Sequence, residues 1–207
     1  MIPIESIIPF VIASALLSIA PGPDNIFVLT QSALYGKKSG VLITLGLCTG
    51  LIVHTTLVAL GIAVIFQTSS VAFMLLKTAG AGYLLYLAWQ AFSASAEKVE
   101  GKMLPFVPNA ALYGRGIIMN ITNPKVSIFF LAFLPQFASV DNGILAPQIF
   151  LLGALFICVA FVTFSFIAVL AGSLGGWLNS SPKAQLYLNR TAGIVLAALA
   201  VKLASQA

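Results

Sequence analysis

The chain has 207 residues, 60% of them hydrophobic and only 7% charged. A soluble domain carries roughly 25% charged residues because its surface must face water, so lipid is the solvent that fits this composition. The formal net charge of +5 does not point to nucleic acid: no basic cluster is interleaved with aromatics, and the positive residues fall mostly between hydrophobic runs, as membrane orientation requires.

Six apolar runs follow in chain order. A helix needs about 20 apolar residues to cross a hydrocarbon core roughly 30 Å thick, whereas barrel strands would be shorter and would alternate. The first run spans Glu5 to Leu34 and is interrupted by Pro21-Gly22-Pro23-Asp24-Asn25. Met1-Ile2-Pro3-Ile4-Glu5 lacks the basic region of a signal peptide, so this run is expected to be retained as the first membrane helix. The second runs from Gly40 to Phe66 and the third from Val71 to Phe92. A polar stretch, Ser93 to Asn109, is the only substantial loop. The fourth run spans Tyr113 to Phe137, interrupted at Asn123-Pro124-Lys125; the fifth covers Ile144 to Leu174 and the sixth Leu186 to Ala204.

The expected fold is therefore an all-α integral membrane protein with six transmembrane helices, the first and fourth broken at proline. Lys37, Lys38, Lys98, Lys102, Arg115, Lys183 and Arg190 would all lie on one side, against Glu5, Asp141 and Lys202 on the other. The positive-inside rule then places both termini outside the cytoplasm of a cell's inner (plasma) membrane. Lys77, a few residues into the third run, is ambiguous. The chain reads as one transmembrane domain, 1–207, with a first repeat over 1–93, a cytoplasmic loop over 94–112 and a second repeat over 113–207. Three helices per half is an odd number, so the halves enter the membrane from opposite sides. Placing Pro23 over Pro124 superposes the runs in order, which makes the pattern a hydropathy-level inverted repeat. Interrupted hydrophobic segments at corresponding positions are the sequence pointer to a transporter's binding site.

Chemistry concentrates at these interruptions. Two prolines remove two backbone donors, and the glycine between them permits angles that a helix forbids. The freed carbonyls cannot face lipid and must line a cavity, a neighbouring helix or water. Asp24 lies thirteen residues before Lys37, roughly 20 Å of helix, and Lys125 lies ten beyond Arg115, about 15 Å. Both are near the membrane midplane, where an ionisable residue costs on the order of 2.5–3.5 kcal/mol on insertion scales. Either they form a proton-exchanging pair on a transport pathway or they are a static pair holding two helices together. Asn25, Asn120 and Asn123 add donors and acceptors at the same depth. His54, the only histidine, is either a proton relay or a packed residue hydrogen-bonded to the next helix. Gly46-x-x-x-Gly50 and Gly80-x-Gly82 permit close helix contact. Tyr83, Tyr86 and Trp89 fit either a pathway lining or interfacial anchoring. Cys48 and Cys158 sit inside apolar runs without a C-x-x-C pair and read as small buried hydrophobes.

Pro21-Gly22-Pro23-Asp24 in the first run, the Gly80 to Trp89 sequence GAGYLLYLAW, and Asn123-Pro124-Lys125 before an apolar run together resemble the LysE/RhtB family of amino-acid exporters, within the LysE superfamily. The resemblance covers essentially the whole chain. It implies a secondary active transporter that expels amino acids or their derivatives, driven by the proton gradient, with Pro21, Gly22, Pro23, Asn123, Pro124 and Lys125 at the family's hallmark positions. The substrate and proton pathway is expected to comprise these residues with Asp24, Asn25, His54 and Asn120. Only one acidic residue is deep in the membrane, so a neutral zwitterion fits more easily than a dication. A metal cargo would find only Asp24 and His54 as ligands.

The alternatives are export of metal ions or other small metabolites, or a passive channel, which would tolerate Asp24→Asn. An enzyme is not expected: there is no Ser/His dyad, Asp pair or H-E-x-x-H helix, and Gly36-Lys37-Lys38-Ser39 lacks the spacing of a nucleotide-binding loop. No cofactor and no resident metal is expected. The expected partners are an amino acid, protons and membrane lipid, and so small a bundle is compatible with a homodimer.

Overall fold

The computed structural model describes residues 2–20, 22–68, 70–93, 108–180 and scattered positions between 186 and 204. Every regular element among them is helical. The first run divides into α1 (Ile4–Ile19) and α2 (Pro23–Tyr35), whose axes meet at 60°. Proline at the first position of α2 is compatible with a helix start, since its missing N–H would be unpaired there anyway. Gly36, with φ of 84°, ends α2 in the left-handed region that glycine adopts without strain. The next helix, α3 (Lys37–Thr68), starts at once, three residues ahead of the run read from Gly40. α4 (Ser70–Ser93) follows.

In the second half, α5 (Asn109–Ile121) begins behind Pro108, ahead of the Tyr113 boundary read from hydropathy. Polar Asn109 and the adjoining alanines form the first helical turn although they carry no strong apolar signal. α6 (Pro124–Ile128) continues without a gap into a π-helical turn, Phe129–Phe133, and a 3₁₀ turn, Leu134–Phe137. This continuous run meets α5 at 49°. A 3₁₀ turn at Val140–Asn142 leads to α7 (Leu145–Ser180). The intervening loop is held by Gln148, whose Nε2 donates to the carbonyls of Ser139 and Gly143 at 2.9 and 3.1 Å while its Oε1 accepts from the Ser139 amide at 3.1 Å. The described positions between 186 and 204 are helical.

Lys37–Gly61 in α3 and Leu145–Gly172 in α7 are each long and apolar enough to cross a bilayer, and each bent pair reaches that length together. Their outward faces carry large apolar side chains, among them Leu57, Leu60, Val162 and Phe166. Such faces suit lipid, since a water-exposed apolar area of this extent is rare on soluble proteins. Cys158 also lies on this outer face, contrary to the buried position expected from its apolar run, whereas Cys48 is buried. Tyr86 and Trp89 are exposed as well.

The interior is built around α3 and α7, which α5, α2 and α1 pack against. The α3–α5 crossing is set by glycine. A Cβ added to Gly46 would strike the Tyr113 carbonyl and lie 3.0 Å from Gly116 Cα, and one added to Gly50 would lie 2.7 Å from Asn120 Oδ1. The Gly46-x-x-x-Gly50 pair thus faces Gly116 and Asn120, also four residues apart, so one face of α5 lies directly on α3. Beneath the π turn, Phe129, Phe130, Phe133 and Phe156 stack with ring centroids 4.8–5.3 Å apart along the pairs Phe129–Phe133, Phe129–Phe156 and Phe130–Phe156. Phe10 of α1 joins them through Phe137 at 5.1 Å. The aromatic cluster fixes the helical run after the second break against α1 and α7.

Candidate functional site at the two helix breaks

The last carbonyls of a helix have no partner within it, and in a low-dielectric interior each must find one. At the end of α1 they find Asn25 and Lys125. Asn25 Nδ2 donates to Ser18 O at 2.6 Å and to Ile19 O at 3.4 Å. Lys125 reaches across from α6, donating its Nζ to Ala20 O at 2.9 Å, Leu17 O at 3.4 Å and Asn25 Oδ1 at 3.4 Å. The negative end of the α1 dipole therefore holds the ammonium, and all three of its protons have acceptors. Gly22 borders the same atom: a Cβ there would lie 2.9 Å from Nζ. Pro21 lies outside the described residues, while Pro23 and Pro124 each occupy the first position of the helix that follows a break.

The second break is closed from the other direction. Asn123 Oδ1 accepts from the Lys125 backbone amide at 3.0 Å, capping α6. His54 of α3 reaches the Asn120 carbonyl, near the end of α5, with Nε2 at 3.1 Å. A carbonyl only accepts, so Nε2 carries the proton and the tautomer is fixed. The ring also packs on Phe130, with centroids 5.7 Å apart. His54 thus has the contacts of the packed, hydrogen-bonded reading. Each break is capped by a side chain from the opposite half.

Asp24 and Lys125 are 1% and 4% exposed. No hydrogen bond joins them, because the ammonium is turned to the α1 carbonyls. Asp24 still lies within electrostatic range of Lys125, His54 and the amides of Asn120 and Asn123. Its Oδ1 has no hydrogen-bond partner, nor do Ser18 Oγ, Asn120 Oδ1 and Asn123 Nδ2. Orphaned polar atoms are expensive in an interior, and four in one place mark a site whose polar capacity exceeds its present contacts. Ser18, Asp24, Asn120 and Lys125 line a small cavity walled by Leu51, Phe156 and Phe164, with room for about one water molecule. It is too small for an amino acid.

The structure thus gathers Gly22, Asp24, Asn25, His54, Asn120, Asn123 and Lys125 around the two breaks. The structure adds Ser18 to the site and singles out Leu17 and Ala20 among the freed carbonyls that the sequence expected to find partners. The rule that the final carbonyls before a break need acceptor partners points to the latter two; Ser18 was visible only as a hydroxyl one turn ahead of the interruption.

Over residues 15–207 the chain matches the family model described as LysE type translocator. It is 34% identical over 196 residues to the homoserine/homoserine lactone efflux protein of Salmonella typhimurium, covering 95% of this chain and 94% of that one. It is 27% identical over 197 residues to the leucine efflux protein of the same organism, covering 95% and 93%. An uncharacterised membrane protein of Bacillus subtilis is 28% identical over 207 residues, covering 96% and 98%. No solved structure matches.

Proposed function

The chain belongs to the LysE type translocator family, which makes it a transport protein rather than an enzyme, and we propose that it exports amino acids, neutral and zwitterionic, in exchange for protons. The observation that carries this reading is the pair of buried charges, Asp24 and Lys125, held at two helix breaks beside a small cavity. Asp24 is the coupling group, exchanging a proton as substrate arrives or leaves. Lys125 is the cation that meets the substrate's carboxylate. Asn25, Asn120 and Asn123 supply neutral donors and acceptors, and Gly22 leaves the space that the ammonium of Lys125 crosses.

The names of the relatives support the substrate class. Homoserine and leucine are zwitterions with uncharged side chains; homoserine lactone keeps the α-amino group but has no free carboxylate.

In this reading each bent pair is one membrane span broken at proline, and the six spans form two inverted repeats, 1–93 and 113–207, in a single membrane domain. The loop between them is cytoplasmic, and the chain lies in a bacterial inner membrane with both termini outside the cytoplasm. A cavity too small for an amino acid, set between the two breaks, fits a substrate-free stage of an alternating-access cycle. A homodimer would cover part of the exposed apolar faces.

The reading is tested by counterflow in proteoliposomes. The purified protein is supplied with a panel of unlabelled amino acids inside and a labelled one outside. Accelerated exchange of neutral amino acids is expected; exchange of none would remove amino acids as the cargo.

A further inference from the structure

The ammonium of Lys125 sits in a nest of neutral acceptors, Ala20 O at 2.9 Å with Leu17 O and Asn25 Oδ1 at 3.4 Å. Three acceptors around three N–H donors is the complement of any primary ammonium. We propose that this nest is the binding site for the substrate's α-ammonium, and that Lys125 occupies it as an intramolecular stand-in while the site is empty of substrate. The proposal deepens the exporter reading and rests on it for the identity of the ligand.

Two observations separate a ligand site from a permanent helix cap. Asn25 Nδ2 already caps the neighbouring carbonyls of Ser18 and Ile19, so the carbonyls of Leu17 and Ala20 with Asn25 Oδ1 form a separate acceptor set that takes an ammonium alone. Beside the nest, Asp24 Oδ1, Ser18 Oγ and Asn120 Oδ1 are buried without hydrogen-bond partners and line the cavity with Lys125. Their unused capacity lies where a second polar molecule would enter. Gly22 completes the cradle, because any side chain there would press on the ammonium position.

The exchange keeps every charge paired. An unpaired cation in a low-dielectric interior is costly, so Lys125 leaves the carbonyls only when another anion receives it. A zwitterion brings that anion: its ammonium enters the nest as its carboxylate takes up Lys125. The zwitterion itself adds no net charge to the site, and any change comes from the proton on Asp24. An acid without an amine leaves the carbonyls unpaired, which gives selectivity for the intact α-amino acid.

The test uses the full chain purified in detergent, with Lys125→Ala beside wild type, and reads the thermal midpoint of unfolding. n-Butylammonium, which carries the ammonium and stem of the missing lysine, should raise the midpoint of Lys125→Ala and leave wild type unmoved. Tetramethylammonium, charged but without N–H groups, should move neither. No response of the variant to n-butylammonium, or an equal response to both cations, overturns the proposal. If Lys125→Ala cannot be purified, wild type decides through its own midpoint with leucine or 4-methylpentanoate, which has hydrogen in place of the ammonium. Leucine should act at concentrations roughly tenfold lower or less, the effect of losing charge-assisted hydrogen bonds; equal action, or none by leucine, overturns the site. Rescue by n-butylammonium without counterflow of any amino acid would leave the ammonium site standing and sink the exporter reading. Counterflow without rescue would do the reverse.

Discussion

Lys125 Nζ donates to the carbonyl of Ala20 at 2.9 Å, so a cation from the start of α6 closes the end of α1, about a hundred residues earlier in the chain. The reciprocal contact runs from His54 to the carbonyl of Asn120 at 3.1 Å. Each half of the molecule therefore supplies a partner for the open helix end of the other. A movement that separates the halves must break or exchange both contacts.

Gly22→Ala tests the position of the ammonium. The added Cβ would lie 2.9 Å from Lys125 Nζ. The lysine is flexible and will give way, so the variant should insert and fold with little loss of stability. Displacement by even an ångström should lower counterflow roughly tenfold or more. Wild-type exchange in Gly22→Ala would show that the ammonium position is not critical.

His54 should matter for stability through one hydrogen bond. The Asn120 carbonyl also accepts from the Asn123 amide at 3.0 Å, so removing the imidazole donor costs only the net worth of one hydrogen bond, about 0.5–1.5 kcal/mol. His54→Leu should lower the thermal midpoint, while His54→Gln, which retains an N–H at similar reach, should recover much of the loss. Equal destabilisation by both would assign the effect to ring packing on Phe130 instead.

The α3–α5 crossing gives a paired comparison. Gly46→Ala drives a Cβ into the Tyr113 carbonyl and Gly116, and overpacking of this kind costs about 1–3 kcal/mol. Gly82→Ala meets nothing within 4 Å and removes a flexible residue from a helix, so its midpoint should hold or rise slightly. Thermal unfolding in detergent distinguishes the two.

Much of the helical architecture was legible because lipid imposes one requirement on every span: a long apolar run with its backbone satisfied internally. Lys37–Thr68 and Leu145–Ser180 were recognisable within a few residues for that reason. The start of α5 was not, since Asn109 and its alanines are neither strongly apolar nor charged. Cys158 was misplaced because an all-apolar helix does not disclose which face meets lipid and which meets protein. At the site, Asp24, Asn25, Asn123 and Lys125 stood out as polar groups beside prolines. The destination of the Lys125 ammonium did not, because its acceptors are backbone carbonyls of Leu17 and Ala20, which any residue would provide.

Proton-driven export through Asp24, the proposed activity, is read as amino-acid accumulation in proteoliposomes under an imposed pH gradient, with Asp24→Asn beside wild type. Asn keeps the size of the side chain and much of its hydrogen bonding but cannot exchange a proton. Wild type should move a neutral amino acid uphill until the gradient collapses, and Asp24→Asn, although inserted and folded, should accumulate none. Uphill transport by Asp24→Asn at the wild-type rate would contradict the account.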